Sequence, residues 1–210
     1  MTACRERYGS AGDFLKTFNP SMQRAYCRDL ERVFMGAAPS VTTLAQAYGR
    51  QVAESWLALQ LRDLSEFSGC RDKLTLAQLG ELSAVIAQTF GHFKVTELMY
   101  FLQLFKAGRW GKFYGAVDGL AITAALHSFA RERMETIHRY RIADERAARQ
   151  AEEEQHRRDL AAFHARLDAE GITLQEWLRN QRNAKQARHG HEIAADDKLP
   201  TNKTKTLQRG

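Results

Sequence analysis

Cationic and aromatic side chains alternate in a short, glycine-rich segment near the middle of the chain. The candidate residues are Lys106, Arg109, Trp110, Lys112 and Tyr114. Cations neutralise backbone phosphates and aromatic rings stack on unpaired bases, so this composition indicates a nucleic-acid-binding surface. The glycines between these residues would also let a ligand approach the backbone closely.

The same segment also fits a purely structural interpretation. In a tight turn between two helices, the aromatic side chains would fill the core, the glycines would adopt positive φ and the cations would lie in water. The segment contains neither GxxxxGK[ST] nor GxGxxG after a strand. No phosphate-binding motif therefore decides between the two interpretations.

A second set of cations follows a three-residue spacing towards the C-terminus. Its members are Arg179, Arg182, Lys185 and Arg188. On a helix this spacing produces a slowly turning basic stripe, which could follow a nucleic-acid backbone. The alternative is a solvated helix followed by a tail that only improves solubility.

Metal binding and catalysis find little support in the sequence. Glu135-x-x-His138 and Glu153-x-x-His156 have the spacing of di-iron bundles, but both fall on one predicted helix rather than on two facing helices. The three cysteines, at positions 4, 27 and 70, form no CxxC pair and have no nearby histidine in sequence. We therefore predict reduced thiols in a cytoplasmic protein, no metal or other cofactor, and no enzymatic activity.

Composition places the chain among ordinary globular proteins with a mildly basic balance. Its 210 residues include 31 Lys and Arg against 25 Asp and Glu, a formal net charge of +6. This charge permits nucleic-acid contact without requiring it. The chain has no run of about 18 apolar residues, so we expect no transmembrane helix and no membrane partner. The N-terminus has no apolar block typical of a secretory signal.

Apolar periodicity predicts the helices that must position these side chains. We predict helices over 20–35, 42–66, from Thr75 to Phe90, from Thr96 to about 107, and from Asp118 onward. Asn19, Ser40 or Thr42, Thr75, Thr96 and Asp118 are the expected N-terminal capping residues. The helix after Thr96 is apolar nearly all round, which is typical of a helix at the centre of a core.

From about residue 143 the helical pattern continues without large apolar residues. We expect one long helix that leaves the core as a projecting arm, about 75 Å from 119 to 168 if straight. Gly171 should end it, and Thr173 with Glu176 should form a capping box for a short return helix through about 187. This return helix could pack against an apolar patch on the arm.

The patch and the return helix supply a candidate partner-binding surface. Its residues are Leu160, Phe163, Leu167 and Trp177. The sequence then predicts an all-α protein with a disordered N-terminus over 1–14, a helical core domain over 15–142, an arm and return helix over 143–188, and a disordered basic tail over 189–210.

The segment from Phe105 to Asp118, with the pattern F-K-x-G-x-W-G-x-F-Y-G-x-V-D, is followed by an amphipathic helix that ends in Arg131-Glu132-Arg133. This arrangement resembles a family of uncharacterised helical proteins encoded by bacteriophages and mobile elements of gut bacteria. The resemblance covers residues 44–142 and brings no activity with it. It implies a place among DNA-replication functions, as a helicase loader or replication accessory.

Two functional hypotheses follow. The leading one is a non-enzymatic nucleic-acid-associated accessory protein, in phage or mobile-element replication, with DNA or a replication protein as its partner. The alternative is a helical protein–protein interaction module that pairs with a partner helix, or with a second copy, through its C-terminal arm.

Overall fold

A computed structural model describes the backbone of residues 2–196 and the side chains of residues 3–186. Its helices are α1 (Thr2–Tyr8), α2 (Ala11–Thr17), a 3-10 turn (Pro20–Met22), α3 (Gln23–Tyr26), α4 (Leu30–Phe34), α5 (Val41–Tyr48), α6 (Arg50–Phe67), α7 (Leu76–Thr89), α8 (Val95–Lys106), α9 (Gly119–Glu170) and α10 (Leu174–Asp196). Within 2–196 there is no β-strand, only two isolated bridge pairs. The predicted all-α class and the long helix are confirmed.

The chain divides into two compact units, Met1–Glu145 and Arg146–Gly210. In the sequence, large apolar residues are absent between about residue 143 and Leu160, and this stretch begins close to the division. Helix α9 contributes residues to both units. No helix in the described part of the chain is long and apolar enough to cross a membrane.

Capping side chains fix most helix starts in the first unit. Ser40 Oγ accepts the Thr43 N–H at 3.0 Å. Thr75 and Gln78 form the predicted capping box, with reciprocal bonds of 3.2 and 2.9 Å. Asp118 Oδ1 accepts the Leu120 N–H at 2.8 Å at the start of α9. These caps satisfy backbone donors that the first helical turn leaves unpaired.

Two predicted helices are each divided into shorter pieces. The predicted helix 20–35 is interrupted after Tyr26, and Asp29 caps a new start by accepting the Arg32 N–H at 2.9 Å. The predicted helix 42–66 breaks at Gly49, whose φ of 100° and ψ of 150° separate α5 from α6. Both predictions of a continuous helix were wrong, because apolar spacing continues across a change in backbone direction.

Residues 2–14 contain helical structure, contrary to the predicted disorder of residues 1–14. Residues 2–14 contain α1 and the start of α2, and Ser10 and Asp13 form a capping box for α2. Phe14 is fully buried and packs against Phe18 and Tyr48 with ring centroids 4.8 and 5.7 Å apart. Burial of this ring outweighs the low apolar content of the segment around it.

Helix α8 lies in the core, as its apolar surface predicts, and packs on α3, α4 and α6. Its start differs from the prediction. Lys94 takes the N-cap position, and the buried Thr96 instead donates its hydroxyl to the Val33 carbonyl at 2.9 Å. A threonine that satisfies a carbonyl at the end of another helix is not available to cap its own.

In the second unit, α10 folds back on the end of α9. Gly171 has φ 64°, and the Ile172 N–H donates to the Leu167 carbonyl at 3.1 Å. Thr173 and Glu176 form the predicted capping box. Helix α10 continues to Asp196, beyond its predicted end near residue 187. The remaining tail, 197–210, lies outside the described residues.

Candidate functional site

The 107–118 loop joins α8 to α9 and is anchored to the core by aromatic rings. Phe113 stacks on Phe105 with centroids 5.0 Å apart and an interplanar angle of 12°. Trp110 packs against Phe101 and Phe129, at 6.0 and 6.5 Å between centroids. Two of the aromatic side chains of the segment therefore serve the structure, as the second sequence interpretation proposed.

Backbone bonds complete the anchoring of this loop. Asp72 donates its N–H to the Gly115 carbonyl at 3.2 Å and accepts the Val117 N–H at 3.0 Å. Glycines 108, 111 and 115 all have positive φ, between 76° and 99°, with open space where a Cβ would lie. The loop is thus a fixed turn that depends on glycine.

Lys106 is held inside the protein rather than presented to solvent. Its side chain is 12% exposed, and Nζ forms an ion pair with Asp63. Nζ also donates to Gln23 Oε1 at 2.9 Å. Among the predicted phosphate-binding residues of the loop, Lys106 therefore already has anionic and polar partners in the fold.

The remaining predicted loop residues form an outward surface, which we call the loop surface: Arg109, Lys112 and Tyr114. Tyr114 is 88% exposed and Lys112 is exposed. Neither side chain makes a hydrogen bond to another side chain or backbone group within residues 3–186. Arg109 lies over the Trp110 ring at 5.6 Å and donates to Glu132 Oε2 at 2.8 Å. The loop surface therefore presents an exposed ring and an exposed ammonium on a backbone that is held in place.

A cavity of about 710 Å³ lies beside the loop, among α4, α8 and the first part of α9. We call it the arginine cavity, after three residues that line it: Arg109, Arg133 and Arg139. Aromatic rings form much of its wall, including Tyr100, Phe129 and Tyr140. All of its lining residues belong to the unit Met1–Glu145. Arg109 is common to the cavity and the loop surface, so the two adjoin.

Arg133 is fixed by a buried carboxylate. Glu97 is fully buried, and its Oε2 accepts the Arg133 Nε at 2.9 Å and the Lys94 N–H at 2.8 Å. The guanidinium also lies 4.8 Å from the centre of the Phe93 ring. Glu97 Oε1 is buried and has no hydrogen-bond partner in the described part of the chain. Burial raises the pKa of Glu97 above its usual value, and the Arg133 ion pair opposes this shift.

Sequence reasoning missed the arginine cavity. Arg133 was noted only at the end of the resembling segment, and neither Arg139 nor Glu97 was predicted as a site residue. Glu97 lies in the first turn of α8. A carboxylate inside an otherwise apolar helix also requires a cationic partner, and that requirement was the available signal.

The predicted C-terminal stripe is exposed as far as side chains are described. Arg179, Arg182 and Lys185 all lie on α10 with exposed side chains. The side chain of Arg188 lies outside the described residues. These three cations belong to the second unit, and the loop surface belongs to the first.

The predicted partner-binding residues are mostly used within the second unit. Phe163 and Trp177 pack edge to face with centroids 5.0 Å apart, and Leu167 is 3% exposed. Leu160 remains 44% exposed. Three of the four predicted partner-binding side chains therefore pack within the helical hairpin that the sequence suggests.

The three cysteines are free and half-buried. Burial raises the pKa of Cys27 to about 11, so this thiol is protonated at neutral pH and is a poor nucleophile. Burial also raises the pKa of Cys4.

Fold and site together define an all-α protein with a glycine-dependent cationic loop beside an arginine-lined cavity. The chain belongs to the family of unknown function DUF6633, whose family model matches residues 73–188, more than half of the chain. No curated protein and no solved structure matches the chain. The matched region contains the loop surface, most of the arginine cavity and the described cations of α10.

Proposed function

We propose that this protein is a non-enzymatic nucleic-acid-associated accessory protein. The observation that carries the proposal is the loop surface, where the 88% exposed Tyr114 ring lies two residues from the exposed Lys112. An exposed ring can stack on any base, and a neighbouring ammonium can neutralise a phosphate. Because the loop is anchored by Phe113 and by the Asp72 bridge, both groups are presented with little ordering cost.

Two further features support this function. The net charge of +6 favours an anionic partner. The three exposed cations of α10 follow a spacing that suits a polyanion. The resemblance of residues 44–142 to phage and mobile-element proteins supports a replication setting, with DNA or a replication protein as the partner.

Fluorescence anisotropy with labelled single- and double-stranded DNA, titrated over salt concentration, tests the loop surface. We expect Lys112→Ala to weaken binding and to lower the salt dependence by about one counterion. Tyr114→Leu retains apolar area but removes the ring face, and should weaken single-strand binding more than duplex binding. Lys16→Ala removes an equal charge from a lysine that is 84% exposed elsewhere in the same unit, and serves as the control.

Equal loss of affinity in Lys112→Ala and Lys16→Ala would show that only net charge matters, and would contradict a specific role for the loop surface. Absence of binding at low salt for the wild-type chain would refute the proposal as a whole.

The contribution of α10 is tested with the triple variant Arg179→Ala, Arg182→Ala, Lys185→Ala. Its control is Arg146→Ala, Arg149→Ala, Arg157→Ala, which removes three exposed cations from the α9 part of the same unit. Point variants are preferable to a truncation at 170, because removing α10 would expose Phe163 and Leu167. A larger loss in the first variant places phosphate contacts on α10.

The alternative function is a protein-interaction module that acts through the C-terminal hairpin. The observation that favours it is a set of leucines that remain 44–45% exposed there: Leu160, Leu174 and Leu178. Light scattering over a range of concentrations, on the wild type and on Leu160→Gln with Leu178→Gln, tests self-association. A mass that rises with concentration only in the wild type would support this function over the first.

A further inference from the structure

Arg133, which lines the arginine cavity, has a guanidinium whose orientation is fixed before any ligand arrives. Arg133 is 12% exposed, its Nε is bound to the fully buried Glu97, and its plane lies against Phe93. Its Nη1 has only a 3.8 Å contact with the Met134 sulfur, and its Nη2 has no hydrogen-bond partner in the described part of the chain. These terminal donors therefore remain for a ligand in the cavity that Arg133 lines.

The other two arginines of the cavity differ in the partners that their guanidinium groups have within the protein. Arg109 is paired with Glu132. Arg139 has a single 3.3 Å bond from Nη2 to the Thr136 hydroxyl. All three guanidiniums keep unused N–H donors, and among them only Arg139 has no carboxylate partner in the described part of the chain. Guanidinium groups bind phosphate through paired N–H donors.

The cavity walls favour a planar, partly apolar group beside that anion. The accessible rings of the cavity are those of the half-buried Tyr100 and Tyr140. The buried Phe129 and Phe34 pack against Tyr100 with centroids 6.2 and 5.8 Å away. The volume of about 710 Å³ lies within the range of small-molecule sites, about 300–1,000 Å³. A mononucleotide is an object of this class.

The carboxylates of the cavity argue against a bare anion. Glu132 and Glu135 also line it, so inorganic phosphate would meet negative charge as well as positive. A ligand that carries hydrogen-bond donors in addition to its phosphate would satisfy both. The amino and imino groups of nucleobases are such donors.

We infer that the arginine cavity binds one nucleoside monophosphate unit, with its phosphate on Arg133 and Arg139 and its base against the aromatic wall. The unit is either a free nucleotide or an unpaired nucleotide of a single strand. The strand case rests on the proposed function, since the adjoining loop surface would then hold neighbouring nucleotides.

Isothermal titration of the full chain tests the inference with four probes: a mixture of the four ribonucleoside monophosphates, inorganic phosphate, a single-stranded 12-mer and a blunt duplex of the same sequence. The main variant is Arg139→Gln, which removes a weakly bound, exposed guanidinium. Its control is Arg131→Gln, an exposed arginine of the same helix that does not line the cavity. A second variant, Arg133→Gln with Glu97→Gln, removes the fixed guanidinium without leaving a buried charge unpaired.

We expect both cavity variants to weaken binding at least about tenfold, as for loss of a charge-assisted hydrogen bond, while Arg131→Gln has no effect. This pattern with mononucleotides identifies a free nucleotide as the ligand. The same pattern with the 12-mer alone identifies an unpaired nucleotide of a strand.

Inorganic phosphate that binds as tightly as the nucleotides would overturn the inference in favour of a simple anion site. Equal affinity of Arg139→Gln and Arg131→Gln for every probe would overturn it as well. If Tyr114→Leu weakens 12-mer binding and Arg139→Gln does not, the inference fails and the proposed function stands. If mononucleotides bind, Arg139→Gln weakens that binding, and neither DNA probe binds, then the proposed function fails and the inference of a nucleotide site stands.

Discussion

At the scale of single residues, the ion pair of Glu97 and Arg133 carries a desolvation cost, because Glu97 is fully buried and Arg133 is 12% exposed. Removing two ions from water costs several kcal/mol for each ion, and one hydrogen-bonded pair rarely restores all of it. Here Glu97 Oε1 is left without a partner in the described part of the chain. The pair therefore adds little to stability, and its effect is to hold Arg133 in one orientation at the edge of the arginine cavity.

The raised pKa of Glu97 has a consequence for stability that depends on pH. A carboxyl group with a higher pKa in the folded than in the unfolded state binds more protons when folded, so its stabilising contribution is present at low pH and lost as pH rises through the folded pKa. We predict that the free energy of unfolding of the wild type, relative to Glu97→Gln, falls as pH rises from about 4.3, the usual glutamate value. Urea denaturation at several pH values measures this difference.

The exposed Glu81→Gln is the control for that experiment and should show no such slope. A difference that rises with pH would mean that the ion pair with Arg133 outweighs the burial of the carboxylate.

We predict that Lys106 contributes to the stability of the fold and Lys112 contributes to DNA binding. Lys106→Met leaves Asp63 and the buried Gln23 without their donor, and we predict a loss of about 1–3 kcal/mol in the free energy of unfolding with DNA binding retained. Lys112→Met should leave stability nearly unchanged and weaken DNA binding. Urea denaturation and fluorescence anisotropy on the same two variants test this prediction. A Lys106→Met variant that is stable but binds DNA weakly would show that Lys106 belongs to the binding surface.

At the scale of elements, the junction between α5 and α6 depends on Gly49. Its φ of 100° and ψ of 150° lie in a region that other residues rarely adopt, while the space around it is open. We predict that Gly49→Ala lowers the free energy of unfolding by about 1–3 kcal/mol through backbone strain alone. Gly80→Ala, in the interior of α7 and also in open space, should raise it by up to about 1 kcal/mol. Urea denaturation of both variants checks the pair, and a stabilising Gly49→Ala would show that α5 and α6 can join smoothly.

Elements were predictable from the sequence where a local signal decides them. The Thr75 and Thr173 capping boxes, the cap at Asp118 and the apolar surface of α8 are all confirmed. The interruption after Tyr26 was missed because Asp29 acts as a cap within continuous apolar spacing.

The arrangement of the candidate site depends on long-range pairing, which periodicity does not encode. Lys106 reaches Asp63 and Arg133 reaches Glu97, across 43 and 36 positions of the chain. From the sequence alone, the cations of the loop could be named, but which of them remain free could not.

At the scale of the whole molecule, the large hydrophobic core belongs to the first unit. The core cluster runs from Phe14 to Phe129, and among the described residues after Glu145 only Leu167 is a buried hydrophobic residue. We predict that a fragment of residues 1–145 unfolds cooperatively, with a thermal midpoint within a few degrees of the main transition of the full chain. Circular dichroism on heating measures both.

A fragment that ends at residue 118 is the control for this prediction. It lacks Ile122, Leu126 and Phe129, which are at most 1% exposed, and should not unfold cooperatively. A 1–145 fragment that fails to fold would mean that the second unit is needed to complete the core.

The three tryptophans are distributed so that each reports on a different region. Trp56 is fully buried and bonded to the Phe18 carbonyl, Trp110 lies in the loop beside Arg109, and Trp177 packs on Phe163 in the second unit. Replacing two of them by phenylalanine leaves a single intrinsic fluorophore at a chosen place. The emission of Trp56 and Trp177 would then separate the melting of the two units. Quenching of Trp110 would register an arriving base or nucleotide optically, without any attached dye.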